Sequence, residues 1–338
     1  MPDIIPQITP EQLAVLEAYR KSHSEQAESS WDEYWRRHLD KDFYSAQDGQ
    51  HMLVTGNTGA GKTQFLLNLV NDYLKKTDHI IVWLDCGKSS ELANLGRMKK
   101  LRVYVPEGCD MEIRVSPDYM DEWKGHEIIK FRPTQMTKLW KGMSNKYINV
   151  ISLLPYILTN VTMYVDMIGK LFSRLVVLAQ REELTGRIEL FCDEFHLICP
   201  EKVNQLSDDH YQKGTIVVRN AEMIRSCGIG LKAAAPAVTK VRQAIRQCFT
   251  WRGIGRGTRF LDDDDLPLKE NNKLWIGLKP GEFFIADPNK RFTDKPVKVK
   301  YWGEGRDVAH VRYIGTLNGE SDEPLDEAEF TEVAEVIA

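Results

Sequence analysis

Residues 56–63 read Gly-Asn-Thr-Gly-Ala-Gly-Lys-Thr, which gathers backbone freedom, one cation and one hydroxyl into eight positions. The run fits G-x-x-x-x-G-K-[ST], in which glycines let successive backbone N–H groups turn inward around phosphate oxygens. An apolar stretch, His-Met-Leu-Val-Thr, precedes it, and Thr-Gln-Phe-Leu-Leu-Asn-Leu-Val follows with helical spacing. A helix that starts there adds its positive end to the anion site. The expectation is a cradle for ATP built from Gly56, Asn57, Thr58, Gly59, Ala60, Gly61, Lys62, Thr63 and Gln64. Lys62 neutralises the β- and γ-phosphates, and the Thr63 hydroxyl binds Mg2+.

A phosphate loop needs a second carboxylate for the metal and a group that orients the attacking water. The run Ile-Glu-Leu-Phe-Cys-Asp-Glu at 188–194 offers both at the end of an apolar strand. Asp193 takes the magnesium through water, and Glu194 polarises the nucleophilic water as general base. Two adjacent acids favour hydrolysis coupled to motion over transfer to a small acceptor. A small-molecule kinase is disfavoured further because no lid-like arginine cluster is present.

The elements around these groups alternate. Residues 80–87 (Ile-Ile-Val-Trp-Leu-Asp-Cys-Gly) read as a buried strand, and three short strand-like runs broken by prolines fall between Leu101 and Pro133. Residues 146–153 read as a strand, 161–184 as a long helix, 187–196 as a strand, and 215–228 as a helix. A strand over 228–236, a short helix over 241–248, a strand over 249–256 and a closing β-hairpin over 281–302 complete the series. Strands alternating with helices predict an α/β fold, a mostly parallel sheet covered by helices on both faces. Residues 1–47 are expected to form a helical arm, 48–302 the nucleotide-binding domain, and 303–338 an extension with an acidic tail.

Composition bounds the rest. The chain has 338 residues, 42% hydrophobic and 28% charged, with a net charge of -4, so overall charge announces no nucleic-acid partner. The six cysteines form no CxxC pair, which gives no zinc or redox motif and fits a reducing, cytoplasmic setting. The N-terminus has no signal-peptide character. The apolar stretch 148–169 carries Asn149, Pro155, Asn160 and Asp166, too many polar groups for a membrane span of about 20 residues, so no integral membrane segment is expected.

Three later segments carry a resemblance: Asp-Glu-Phe-His-Leu-Ile-Cys-Pro-Glu from Asp193, Arg-Asn-Ala-Glu-Met-Ile-Arg-Ser-Cys-Gly-Ile-Gly-Leu from Arg219, and Gln-Ala-Ile-Arg-Gln-Cys-Phe-Thr-Trp-Arg-Gly-Ile-Gly-Arg from Gln243. Together with the closing hairpin they make the chain, over Gln50 to Trp302, similar to the HerA–FtsK superfamily of P-loop motors. The resemblance implies a RecA-like P-loop NTPase core and a homo-hexameric ring around double-stranded DNA with ATP between neighbours. It also implies an arginine, ahead of the Gly-Ile-Gly-Leu strand, that reaches the adjacent subunit's site. Arg225 matches that position best, and Arg219 is the runner-up. Two departures stand out. The family's glutamine at the end of the next strand is absent, since the strand reads Leu231-Lys232-Ala233-Ala234-Ala235-Pro236. The N-terminus offers only a short arm, which points to a viral or plasmid-borne motor for genome packaging or conjugative transfer, with portal, capsid or relaxosome-type partners.

Basic residues fall in loose groups that face either phosphates or solvent: Arg97, Lys99, Lys100 and Arg102; Lys138 and Lys141 around Trp140; and Arg252, Arg256 and Arg259. The polar stretch 201–214 reads as a channel loop. Three function classes stay open: a DNA translocase, a P-loop ATPase acting on protein in secretion or assembly, and a low-turnover nucleotide-binding scaffold.

Overall fold

The computed structural model describes residues 35–86, 90–259, 275–293 and 295–314. Most of the expected helical arm and the acidic tail lie outside the described residues. The described part of the arm, Trp35–Tyr44, is π-helical. It closes on the core through Phe43, whose ring meets Trp251 edge-on at 5.0 Å, and Tyr44, which donates to Asp72 Oδ2 at 3.0 Å.

Ten strands form the main sheet: β1 (Met52–Thr55), β2 (Ile80–Asp85), β3 (Leu101–Pro106), β5 (His126–Phe131), β6 (Ile148–Ser152), β7 (Ile188–Cys192), β8 (Gly230–Ala235), β9 (Trp251–Gly255), β10 (Glu282–Ala286) and β11 (Val297–Lys298). Their order is β11-β10-β9-β1-β8-β7-β2-β6-β3-β5. Pairings from β9 through β5 are parallel, while β10 runs antiparallel to both β9 and β11 as the closing hairpin. The α/β expectation therefore holds. Strands β1, β2, β6, β7 and β8 are buried at every position. Side chains alternate across a strand, so burial at every position means that both faces of the sheet are covered.

The helices are α1 (Lys62–Lys76), α2 (Ser90–Met98), α3 (Leu154–Thr159), α4 (Val161–Gln180), α5 (Asp208–Ser226), α6 (Gln243–Arg246) and α7 (Gly305–Val308). The stretch 148–169 is thus a strand, a short helix and the start of a core helix, and no described helix is long and apolar enough to cross a membrane. One expectation changes: the stretch 201–214 is not all loop, because α5 already begins at Asp208. Ser207 caps it, accepting from the His210 N–H at 3.1 Å, and Asp208 and Asp209 sit in the first turn where the helix dipole favours anions.

A second sheet pairs β4 (Asp110–Val115) with β12 (Ala309–Ile314), antiparallel. The chain reaches it across α1 and α2. Asn68 Nδ2 donates to Lys300 O at 2.8 Å, Trp302 N–H donates to Gln64 Oε1 at 2.7 Å, and Arg97 donates to Trp302 O at 2.8 Å. Tyr313 OH then donates to Asp85 Oδ2 at 2.7 Å, beside a Ser152 hydroxyl that also donates to Asp85 Oδ2 at 2.7 Å.

Inside the sheet lies a charge that sequence reading passed over. Lys232 is 0% exposed in β8. Its ammonium pairs with Glu189, whose other oxygen bonds His79 Nδ1 at 2.9 Å, and it sits 4.6 Å from the Tyr73 ring centre.

Candidate functional site

The site forms where β1, β7 and β9 end at one edge of the parallel sheet. Open parallel sheets bind ligands at this carboxyl edge. β1 passes into the glycine run, where Gly59 at φ 76° and Gly61 at φ 94° adopt the left-handed conformation that glycine tolerates. Gly61 must also be small, since a β-carbon there would approach Gly281 N at 3.1 Å. The Gly281 N–H donates to Ala60 O at 2.9 Å, so the hairpin's leading turn braces the far side of the loop. This contact was not foreseen, because it joins segments distant in sequence.

Lys62 opens α1 and bends back over the loop, donating to Gly56 O at 3.0 Å and to Asn57 O at 3.3 Å. Thr63, the next residue, donates its hydroxyl to Asp193 Oδ2 at 2.7 Å. The two are 130 positions apart, and β8 lies between their strands, so the bond crosses over the small side chains at the end of β8. Asp193 is 2% exposed, and its Oδ1 has no hydrogen-bond partner among the described residues. A buried carboxylate oxygen left unsatisfied is unfavourable. One hydroxyl beside one carboxylate oxygen in need of a partner suits Mg2+, which keeps most of its own waters. The residues present fit the metal. Among the described residues no group of three or more His, Cys, Asp or Glu side chains is placed to hold a metal ion, here or elsewhere.

Glu194 follows in a turn after β7. Its side chain is 20% exposed and its Oε2 lies 3.4 Å from His196 Nδ1. The neighbouring acids thus differ in surroundings: one is enclosed and bonded to the Thr63 hydroxyl, the other is partly exposed beside an imidazole. That contrast matches a metal-holding group next to a water-polarising one. His196 was not singled out in the sequence, and only its place two residues past the acidic pair hinted at it.

Other expected residues fall elsewhere. The Gln64 side chain is engaged with the returning chain, accepting from Trp302 N–H and donating to Gly303 O at 3.4 Å, so only its backbone N–H remains for a ligand. Asn57 spends its own N–H on Arg256 O at 2.8 Å. Thr58 and Gly59 form the exposed crest of the loop, and Ala60 is buried beneath it. Arg225 lies in the last turn of α5, exposed, with its carbonyl accepting from the Gly49 N–H at 2.8 Å. Gly49 leads into β1, so Arg225 stands at the sheet edge opposite the phosphate loop of its own chain. Arg219, earlier on the same helix, is exposed as well.

The first basic group is occupied internally. Lys100 and Arg102 both pair with Glu127 at 2.9 Å, and Arg97 pairs with Glu122 at 2.6 Å. Hydrogen bonds from Lys100, Tyr147 and Arg102 pull the Glu127 carboxyl down to about 2. Lys138, Lys141, Arg256 and Arg259 are exposed.

No family model matches this chain, and no curated protein matches it. Similar solved structures exist. The genome packaging NTPase B204 from Sulfolobus turreted icosahedral virus 2, in complex with ATP-gammaS, is 13% identical and superposes with a TM-score of 0.44 over 75% of this chain and 98% of that one. The cytoplasmic domain of the Thermomonospora curvata Type VII secretion ATPase EccC is 14% identical, with a TM-score of 0.39 over 82% of this chain and 30% of that one. The pCW3 conjugation coupling protein TcpA, in its monomer form with ATPgS, is 15% identical, with a TM-score of 0.36 over 75% and 60%.

Proposed function

We propose that this chain is a P-loop ATPase that couples hydrolysis of ATP to the movement of double-stranded DNA. The observation that carries the ATPase reading is the 2.7 Å bond from Thr63 Oγ1 to Asp193 Oδ2, with Glu194 next to it and Lys62 over the loop. Two distant motifs meet there in the arrangement that ATP hydrolysis requires. The DNA reading rests on the similarity of the later motifs to the HerA–FtsK motors.

In this mechanism the glycine run and the start of α1 bind the phosphates through backbone N–H groups. Lys62 leaves the Gly56 and Asn57 carbonyls for the β- and γ-phosphates. Thr63 and, through water, Asp193 would hold Mg2+, which would supply charge neutralisation for the phosphates. Glu194 takes a proton from the attacking water, whose oxygen bonds to the γ-phosphorus as ADP leaves. Arg225 cannot serve its own chain's loop from the opposite sheet edge. Its role as a cation for the developing charge therefore belongs to a neighbouring copy in a homo-hexamer, where it faces the next subunit's site. Packaging or conjugative transfer in a cytoplasm is the setting this reading favours.

A second reading is a motor acting on protein, favoured by the internal pairing of Lys100 and Arg102 with Glu127, which removes two cations from any DNA path. ATP turnover with and without duplex DNA, beside a Glu194→Gln variant, separates the two. The expected outcome is DNA-stimulated turnover, reduced about 100-fold or more by the substitution, with nucleotide affinity retained. Glu194-dependent turnover indifferent to DNA selects the protein-directed motor. Turnover that survives the substitution removes Glu194 from the chemistry.

A further inference from the structure

The phosphate loop springs from β1, and β1 has two neighbours in the sheet. On one side, Thr55 is in register with Ala235 of β8, after which come Pro236 and Ala237. On the other, Thr55 is in register with Ile254 of β9, which runs on into Gly255, Arg256, Gly257 and Thr258. Of these two neighbours, β9 is the one that delivers a cation to the loop's edge.

The turn that carries this cation is fixed at several points. Arg256 O accepts from the Asn57 N–H at 2.8 Å. Thr258 is 3% exposed, and its hydroxyl lies 3.0 Å from Thr55 O and 2.9 Å from Gly255 O. Gly257 adopts φ 75°, and a β-carbon there would overlap the Asn57 side chain, so only glycine allows this approach. Arg256 is therefore tied, through its own carbonyl, to the second residue of the loop. Its side chain is exposed and makes no hydrogen bond or ion pair among the described residues. Of the nearby cations, Arg252 donates to Arg246 O at 2.7 Å and Lys279 lies 3.9 Å from Glu282, while Arg259 is exposed but lies one residue beyond Thr258 and lacks the carbonyl tie to Asn57 that Arg256 has.

The Asn57 end of the loop is also where the Lys62 ammonium rests, at Gly56 O and Asn57 O. A phosphate-loop lysine serves the outer phosphates, so this is the γ-phosphate end of the cradle. One lysine leaves much of a triphosphate's charge uncompensated by protein. We infer that Arg256 is a second cation of the nucleotide site, acting from within the same chain, and that it contacts the outermost phosphate of a bound nucleoside triphosphate. This assignment rests on the phosphate-loop reading above and adds a residue to it.

Binding of ATPγS and of ADP to the full chain with Mg2+, measured by titration calorimetry, tests it with Arg256→Ala and Arg256→Gln. The glutamine variant keeps most of the stem and loses the charge. Loss of a charge-assisted contact predicts ATPγS affinity weakened about 10- to 100-fold in both variants, with ADP affinity changed less than about threefold. Equal losses for the two nucleotides, or no loss, overturn the assignment while leaving the phosphate loop in place. Wild-type protein that binds neither nucleotide overturns the phosphate-loop reading and this assignment with it.

Discussion

A lysine closed off from water inside a strand of alanines is tolerable only if its charge is met on the spot. Lys232 meets Glu189 and two aromatic faces, and Glu189 in turn meets His79. Burial pushes the Glu189 carboxyl up, but the Lys232 charge and the hydrogen bonds outweigh it and hold the group below its ordinary value. Removing one partner strands the other. Lys232→Ala is expected to destabilise the fold by about 3–5 kcal/mol in urea unfolding, whereas the double variant Lys232→Met with Glu189→Leu recovers most of that loss. At this scale the sequence was legible where chemistry is local. Residues 56–63 stand out by spacing and the Asp193–Glu194 pair by its apolar lead-in and its place after the glycine run, and the structure brings Thr63 and Asp193 together. Lys232 did not, since its partner stands 43 positions away, and nothing short-range distinguishes it from a solvated lysine.

Elements tell a similar story. The strands and helices from β1 to the closing hairpin follow from apolar runs alternating with helical periods, but the fate of the chain past Trp302 does not. That stretch reads as an extension with an acidic tail; its described part follows residues 300–303, which are stitched onto α1 and α2, and adds β12 to β4. The stitching contacts at 300–303 are made by backbone groups, amide side chains and Arg97, which leave no hydrophobic signature, whereas β12 itself alternates, burying Ala309, Val311 and Tyr313. Arg256 was visible only as one of several scattered cations, because its meaning comes from β9 lying beside β1. The tether of β12 is testable. Tyr313→Phe removes a donor to the buried Asp85 carboxylate and should lower stability by about 1–3 kcal/mol. A chain ending at Gly303 should lose more, through the unpaired β4. Urea midpoints for both variants check the order; a truncated chain as stable as wild type would show that β12 contributes little.

For the whole molecule, acid is the condition that several buried groups register together. Burial lowers the imidazoles of His51, His126 and His210, that of His51 to about 4. His51 is locked neutral between the Ala221 carbonyl at 2.8 Å and the Leu231 N–H at 3.3 Å, where it joins the start of β1 to α5 and β8. Unfolded histidine titrates near 6.5, so between 6.5 and about 4 the unfolded chain binds the extra protons. Stability is full above about pH 6.5 and falls as pH drops through that window, His51 alone accounting for on the order of 3 kcal/mol. Melting temperature should therefore be flat from pH 8 to 7 and decline steadily from pH 6.5 to 4.5. A flat profile to pH 4.5 would mean that these imidazoles accept protons without unfolding.

The sheet order also sets a schedule for synthesis. β1 lies between strands drawn from residues 230–235 and 251–255, and Ala60 is braced from Gly281. A nascent chain therefore carries its glycine run out of the ribosome long before either wall of the cradle exists. Contacts this distant in sequence form late and slowly. Until the hairpin has emerged, the run is an unsupported segment, so on the proposed reading it gains its nucleotide site only after residue 281 has been made. On that reading, a fragment released before residue 281 would be silent rather than half-active.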